Sequence, residues 1–283
     1  MIYTNKSVSI GVDSIGGNIT SFQVDGDHIF FPQQALKENN ELKIRGGSHI
    51  CFPNFGSQKN PQDFKVQKHG FLRERPVQIS YGSSMYAAYV KDNFCRIDGM
   101  DTDESYKFIL SHYEYNANER DFPKFFPFSF SLDSTLFFLE KGFAQVIKIS
   151  HSGNKDVARK SIPINPAFHP YINTRMSRVA IDGLEKERIG FWNDSSVDGL
   201  SYPMASPITI IREKMDRKIK MQFGGLFAEV PDARIVLWRN YNNSPYFCIE
   251  PVAGNSHKFG TEYGHFLRPD QDSVCAWMKV EVE

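Results

Sequence analysis

The residues of this chain that could do chemistry are few, and they lie in short segments far apart in the sequence. His169 sits in INPAFHPYIN (residues 164–173) and Glu250 in CIEPVAG (248–254). His69 sits in KHGFLR (68–73), downstream of IRGGSHICFPNFG (44–56). None of the eight histidines stands in an H-x-H or H-E-x-x-H arrangement, so no local metal-site signature is present. No G-x-S-x-G elbow, dinucleotide fingerprint or phosphate-cradling glycine loop occurs, and Gly46-Gly47 alone is too short to count as one. Hydride transfer and nucleotide hydrolysis are thereby set aside. General acid–base chemistry by a histidine and a carboxylate remains, and it needs no cofactor. A residue before proline is pushed to extended backbone, so His169, followed by Pro170, is expected to project from a strand end or loop, as a catalytic acid would. The same residue also fits a core histidine hydrogen-bonded to backbone. Glu250 ends an apolar run, after Phe247 and Ile249, where desolvation raises a carboxyl pKa and makes a better base. A structural pairing with an arginine fits it too.

Strands must position these residues. Phe (24) and Tyr (12) are abundant, which favours pleated, half-buried elements. Period-two alternation is clear at Ile219, Met221 and Phe223 against Lys218, Lys220 and Gln222, and again over 274–282. Further strands are expected at 7–12, 19–24, 77–81, 128–132, 136–139, 143–150, 235–238 and 247–250. Glu140-Lys141-Gly142 provides a turn between two of them. No helical stripe exceeds 12 residues. The expectation is an all-β meander of hairpins in one domain, 1–283, since no linker, composition shift or fixed-period repeat divides the chain. Segments 45–73 and 161–173, rich in Gly, Pro, Asn and His, break the pattern and read as functional loops.

Charge bounds the ligand. With 33 Lys+Arg against 33 Asp+Glu and no basic block, the chain has no footprint for nucleic acid or an anionic membrane. No run approaches the roughly 20 apolar residues of a membrane span. Cys51, Cys95, Cys248 and Cys275 form no C-x-x-C pair and are expected to be free, buried thiols in a reducing compartment. Residues 1–12 are polar and alternating, which carries no export signal, so a cytoplasmic location is expected.

Taken together, RGG…FPNFG, then HGFLR, the pair FPFSFSLDSTLFFL…FAQVIKISHSGN, FHPYIN and the late CIEP make the chain resemble the aldose 1-epimerases, or galactose mutarotase-like proteins, including the hexose-6-phosphate mutarotase branch. The resemblance runs almost the full chain and implies a large antiparallel β-sandwich. It implies interconversion of the α and β anomers of an aldohexose or hexose 6-phosphate by ring opening and closure, without metal or organic cofactor. Glu250 matches the base and His169 the acid, an assignment that needs ionised Glu with protonated His. His69 matches a histidine that binds sugar hydroxyls. Arg45 matches an arginine that contacts substrate in the hexose-phosphate branch. Arg73 closes HGFLR, where it either meets substrate or orders the loop through a carboxylate.

Departures from the family pattern bear on the sugar. Glu74-Arg75-Pro76-Val77 follows HGFLR where a tryptophan is usual, Val252 replaces another, and Ser48-His49-Ile50 replaces an apolar-Pro-apolar triplet. Asp194 and Asp198 lie where a further sugar-contacting acid could fall. A sugar-binding β-sandwich without turnover is the alternative. A glycoside-active enzyme would need a second carboxylate that no motif supplies. The partner is a small sugar or sugar phosphate, and the oligomeric state stays open. On the enzymatic reading, His69, His169 and Glu250 should converge on one open cleft.

Overall fold

The computed structural model describes the chain apart from residues 39, 58–63, 65, 94, 118–125, 153–159, 176–178, 185–198, 213–216, 242 and 256. Asp194 and Asp198 lie outside the described residues. Within them, two large antiparallel sheets carry the fold. The first runs β1 (Ile2–Asn5), β2 (Val8–Val12), β3 (Ile19–Val24), β7 (Ser48–Cys51), β13 (Ala167–Ile172), β19 (Phe247–Val252), β18 (Arg234–Trp238), β15 (Gly199–Pro203), with β4 (Asp27–His28) beside β3. The second runs β14 (Val179–Asp182), β16 (Ile208–Arg212), β17 (Lys218–Gly225), β21 (Ser273–Val282), β11 (Gly142–His151), β10 (Phe130–Leu139), β9 (Ser105–Tyr115), β8 (Gln78–Met85). Two ribbons complete the strands: β5 (Gln34–Glu38) with β6 (Glu41–Arg45), and β12 (Ile162–Pro163) with β20 (Phe266–Leu267). Helix is confined to α1 (Tyr86–Asn93), α2 (Leu226–Glu229) and a 3-10 turn at Leu72–Glu74 among the described residues. No described helix is long and apolar enough to cross a membrane.

The sheets face one another across a single apolar cluster drawn from both, as a β-sandwich requires. Phe22 of β3, Phe30 and Phe143 of β11 meet edge-on at centroid distances of 4.9, 5.2 and 5.7 Å, which fastens one sheet to the other. Alternation decides which side chains enter this core. On the first sheet Ile50, Phe168, Phe247, Ile249, Ile235 and Leu237 point in. Their strand neighbours His49, Cys51, His169, Tyr171, Cys248 and Glu250 therefore point to the opposite face. That outer face is covered as well: Phe31, Tyr171, Tyr246 and Cys248 cluster there with Leu36 of the β5–β6 ribbon and Trp238.

The hairpin order β8-β9-β10-β11 is the expected meander, and β3 falls on residues 19–24 as expected. Three expectations are corrected. The two strands expected at 128–132 and 136–139 are one ten-residue strand, Phe130–Leu139, because Asp133 and Ser134 continue the ladder to both β9 and β11. Segments 45–73 and 161–173 contain the central strands β7 and β13, not loops alone. Both are covered on two faces, so their composition lacks the polar alternation that marks a half-exposed strand. The four thiols are not all free either: Cys95 and Cys275 form a disulfide, while Cys51 and Cys248 are free and buried. Cys95 follows α1, which packs over the outer face of the second sheet with Tyr86, Phe137 and Trp277 and so brings Cys95 to β21. The cysteines are 180 residues apart, so their spacing concealed the pairing. The reducing, cytoplasmic setting inferred from free thiols loses that support.

Candidate active site

Backbone geometry at the motif glycines aims the histidines. Gly47 has φ +68°, and a Cβ there would overlap the Ile19 carbonyl; Gly70 has φ +72°, and a Cβ would overlap the Phe52 carbonyl. Only glycine lets these backbones approach so closely. His69 itself sits at φ 64°, a conformation that costs a non-glycine residue energy and is held by its surroundings. The His69 N–H donates to the Gly56 carbonyl (3.0 Å) and the Phe71 N–H to the Phe52 carbonyl (3.0 Å), which joins FPNFG to HGFLR. Asn165 ties in the third motif: its N–H donates to the Pro53 carbonyl (2.8 Å) and its side chain to Asn54 Oδ1 (3.1 Å).

These restraints bring together the acid and base named from sequence. His169 Nε2 lies 3.2 Å from Glu250 Oε1, and the two residues are 5% and 1% exposed. His169 is mid-strand, not at a strand end, and pairs directly across the ladder with His49 of β7. The two imidazoles stack at 4.5 Å, and His69 meets His169 edge-on at 5.4 Å. His69 Nδ1 accepts from the Gly56 N–H (3.3 Å), which puts the proton of its neutral ring on Nε2. His49 thus joins the site, although the sequence marked it only as a departure from the family triplet. Its position two residues before Cys51, on the face of His169, is the signal that alternation offers once β7 is known to be a strand.

Burial sets the protonation, in the direction opposite to the one expected. Desolvation pushes the Glu250 carboxyl well above its usual range, and only the charge of Lys68 opposes it. Desolvation, followed by the neighbouring His49 and His69, holds His169 well below the ordinary imidazole value. His49 is lowered in the same way, and His69 falls to about 3 through desolvation and the charge of Arg73. Both shifts favour a neutral imidazole beside a carboxylic acid over the ion pair. This state and the ion pair contain the same protons and differ by one proton moved across the 3.2 Å contact.

The arginines are engaged. Arg45, ending β6, grips Glu38 through Nε (2.9 Å) and Nη2 (2.7 Å), with its guanidinium carbon 5.3 Å from the Trp238 ring centroid. That grip lowers the Glu38 pKa and ties β5 to β6, while the contact with Trp238 of β18 joins the ribbon to the outer face of the sheet. Arg73 lies 3.5 Å from Glu74 and donates to the Lys68 carbonyl. It also lines a pocket of about 340 Å³ with Asp13, Asn18, Gln33, Ser48 and His49, a size suited to a small polar molecule. His169 and Glu250 do not line it; His49 stands between. The expected convergence is thus present, but in a covered position reached beside His49 and not in an open cleft. A larger cavity, about 590 Å³ around Tyr202, Phe227 and Arg234, contains none of these residues. As to metal ligands, Cys248 Sγ joins His169 and Glu250, with ligand atoms within 4.8 Å of one another.

The whole chain superposes on solved proteins of the galactose mutarotase-like fold. Slr1438 from Synechocystis sp. PCC 6803 matches with a TM-score of 0.71 at 19% identity, covering 100% of this chain and 96% of that one. A galactose mutarotase-like protein from Lactobacillus casei ATCC 334 matches at 0.66 and 15%, covering 100% and 99%. Galactose 1-epimerase from Lactobacillus acidophilus NCFM matches at 0.64 and 11%, covering 99% and 92%. No protein-family model and no curated protein matches the chain. The fold is that of the galactose mutarotase-like β-sandwiches.

Proposed function

We propose that this protein is an aldose 1-epimerase that interconverts the anomers of a free aldohexose. The observation that carries the reading is the 3.2 Å contact between His169 Nε2 and Glu250 Oε1, beside His69 and His49, at the junction of the three motifs. In the ion-pair form, Glu250 takes the proton of the anomeric hydroxyl while His169 gives one to the ring oxygen. The bond from C1 to the ring oxygen breaks and the C1 carbonyl forms. Rotation about C1–C2 and the reverse transfers close the ring as the other anomer. Sugar hydroxyls entering the covered face solvate the ion pair and draw the resting proton from Glu250 to His169. His69, with its Nε2–H free to donate, is proposed to hold the sugar, and Arg73 to meet it from the adjoining pocket. Arg45 is proposed to hold the ribbon in place rather than a phosphate, since Glu38 already fills its fork.

Polarimetry on freshly dissolved α-D-glucose, α-D-galactose and glucose 6-phosphate tests this. Relaxation should accelerate in proportion to protein with at least one free hexose, and Arg45→Ala should not slow the phosphate sugar selectively. The near-complete burial of His169 and Glu250 favours, as a second reading, a sugar-binding protein without turnover. No acceleration with any of the three sugars would decide for it.

A further inference from the structure

The proposed sugar chemistry makes no use of Cys248, yet it stands two residues before Glu250 on the same face of β19, beside β13, which carries His169. The ligand atoms of these three residues lie within 4.8 Å of one another, and all three are buried. Other donors share the face: His49 and Cys51 stand on β7, outside the trio. Glu250 Oε1 is a buried oxygen without an aligned hydrogen-bond partner, although His169 Nε2 is near. A buried oxygen left in that condition is costly for the protein and suits a ligand that supplies positive charge.

We propose that His169, Cys248 and Glu250 bind one divalent cation of the zinc class, and that the bound ion closes the acid–base pair to sugar. The donor set is one sulfur, one imidazole nitrogen and one carboxylate oxygen. Zinc accepts that mixture in tetrahedral geometry with a fourth position open, whereas calcium and magnesium require oxygen ligands. The ion enters as the thiol and carboxyl protons leave. Its seat coincides with the two groups that transfer protons in the proposed reaction, so zinc and turnover exclude each other. This second half rests on the epimerase reading; the binding does not.

The test uses the full chain, stripped with chelator and dialysed against Zn²⁺ or Co²⁺ in the presence of excess Mg²⁺ and Ca²⁺. About one equivalent of zinc should be retained, and the Co²⁺ form should show thiolate-to-metal charge-transfer absorption. Cys248→Ser and Cys248→Ala, each checked for folding by circular dichroism, should abolish that absorption. Both should weaken zinc binding by more than about 10-fold, the low end of the loss seen for outer-shell groups alone. Cys51→Ser should leave both readouts intact. No zinc retained, unchanged binding in both Cys248 variants, or loss of the absorption in Cys51→Ser would each overturn the site. Stoichiometric, Cys248-dependent zinc in a protein whose metal-free form turns over no sugar would uphold the site and overturn the epimerase reading.

Discussion

Replacing Glu250 by glutamine asks where the resting proton lies. If Glu250 is a carboxylic acid beside a neutral His169, glutamine nearly copies its shape and lack of charge. Stability at pH 4.5 should then change by no more than about 1 kcal/mol, the net worth of one hydrogen bond. The pH dependence gives a second, signed readout. A raised folded pKa means that unfolding releases a proton once the pH exceeds the unfolded value of about 4.3, so the natural protein loses about 1.4 kcal/mol per pH unit through this residue as pH rises toward the folded pKa. The Glu250→Gln variant has no titrating group there and carries no such loss. It should therefore gain on the natural protein, by up to about 1.4 kcal/mol per unit, as pH rises above 5 toward the folded pKa of Glu250, and finish the more stable of the two. Urea unfolding followed by fluorescence at several pH values measures both quantities. A resting ion pair gives the opposite result: removing one partner strands a buried imidazolium and costs about 3–5 kcal/mol at pH 7. That outcome would refute the assignment of a neutral pair.

Other consequences follow from the same burial. Near pH 5 the unfolded chain protonates His49, His69 and His169 while the folded chain keeps them neutral and keeps Glu250 protonated. The site thus takes up a net two protons on unfolding, and stability should fall by about 2.7 kcal/mol per unit as pH drops below 6. Half-buried His265 adds in the same direction, so a flat profile from pH 6 to 5 would contradict the burial of these groups. Removing the Cys95–Cys275 link with paired alanines should cost about 2–4 kcal/mol in urea unfolding, and a loss under about 1 kcal/mol would show that the link is not formed in solution. Gly47→Ala, placed at positive φ against the Ile19 carbonyl, should lose more than about 2 kcal/mol in thermal unfolding; an unchanged melting temperature would contradict the close approach.

In the second sheet β17 was legible because it leaves one face partly exposed, so Ile219, Met221 and Phe223 alternate with lysines and glutamine and announce their period. Two of the strands that hold the site hid for the converse reason: β7 and β13 are covered on both faces, and Pro170 punctuates β13 like a loop, whereas β19, expected at 247–250, runs on through Pro251 to Val252. His169 and Glu250 could be named from motif resemblance, and their proximity follows from β13 lying beside β19. Their protonation could not be read, because it depends on what covers the outer face. The β5–β6 ribbon that does so, held against Trp238 by Arg45, has too little apolar periodicity to reveal itself, with Leu42 and Ile44 facing out. His49 escapes notice for the same reason as β7: a residue's face is known only after its strand is.

In the proposed reaction His169 and Glu250 together carry the protons of ring opening. Anomer exchange at equilibrium, measured by magnetisation-transfer NMR on glucose or galactose with the natural protein, His169→Ala and Glu250→Gln, tests it most directly. Exchange should be accelerated by the natural protein and slowed about 10²–10⁴-fold in each folded variant. Equal exchange in all three, or none above buffer in the natural protein, would contradict it.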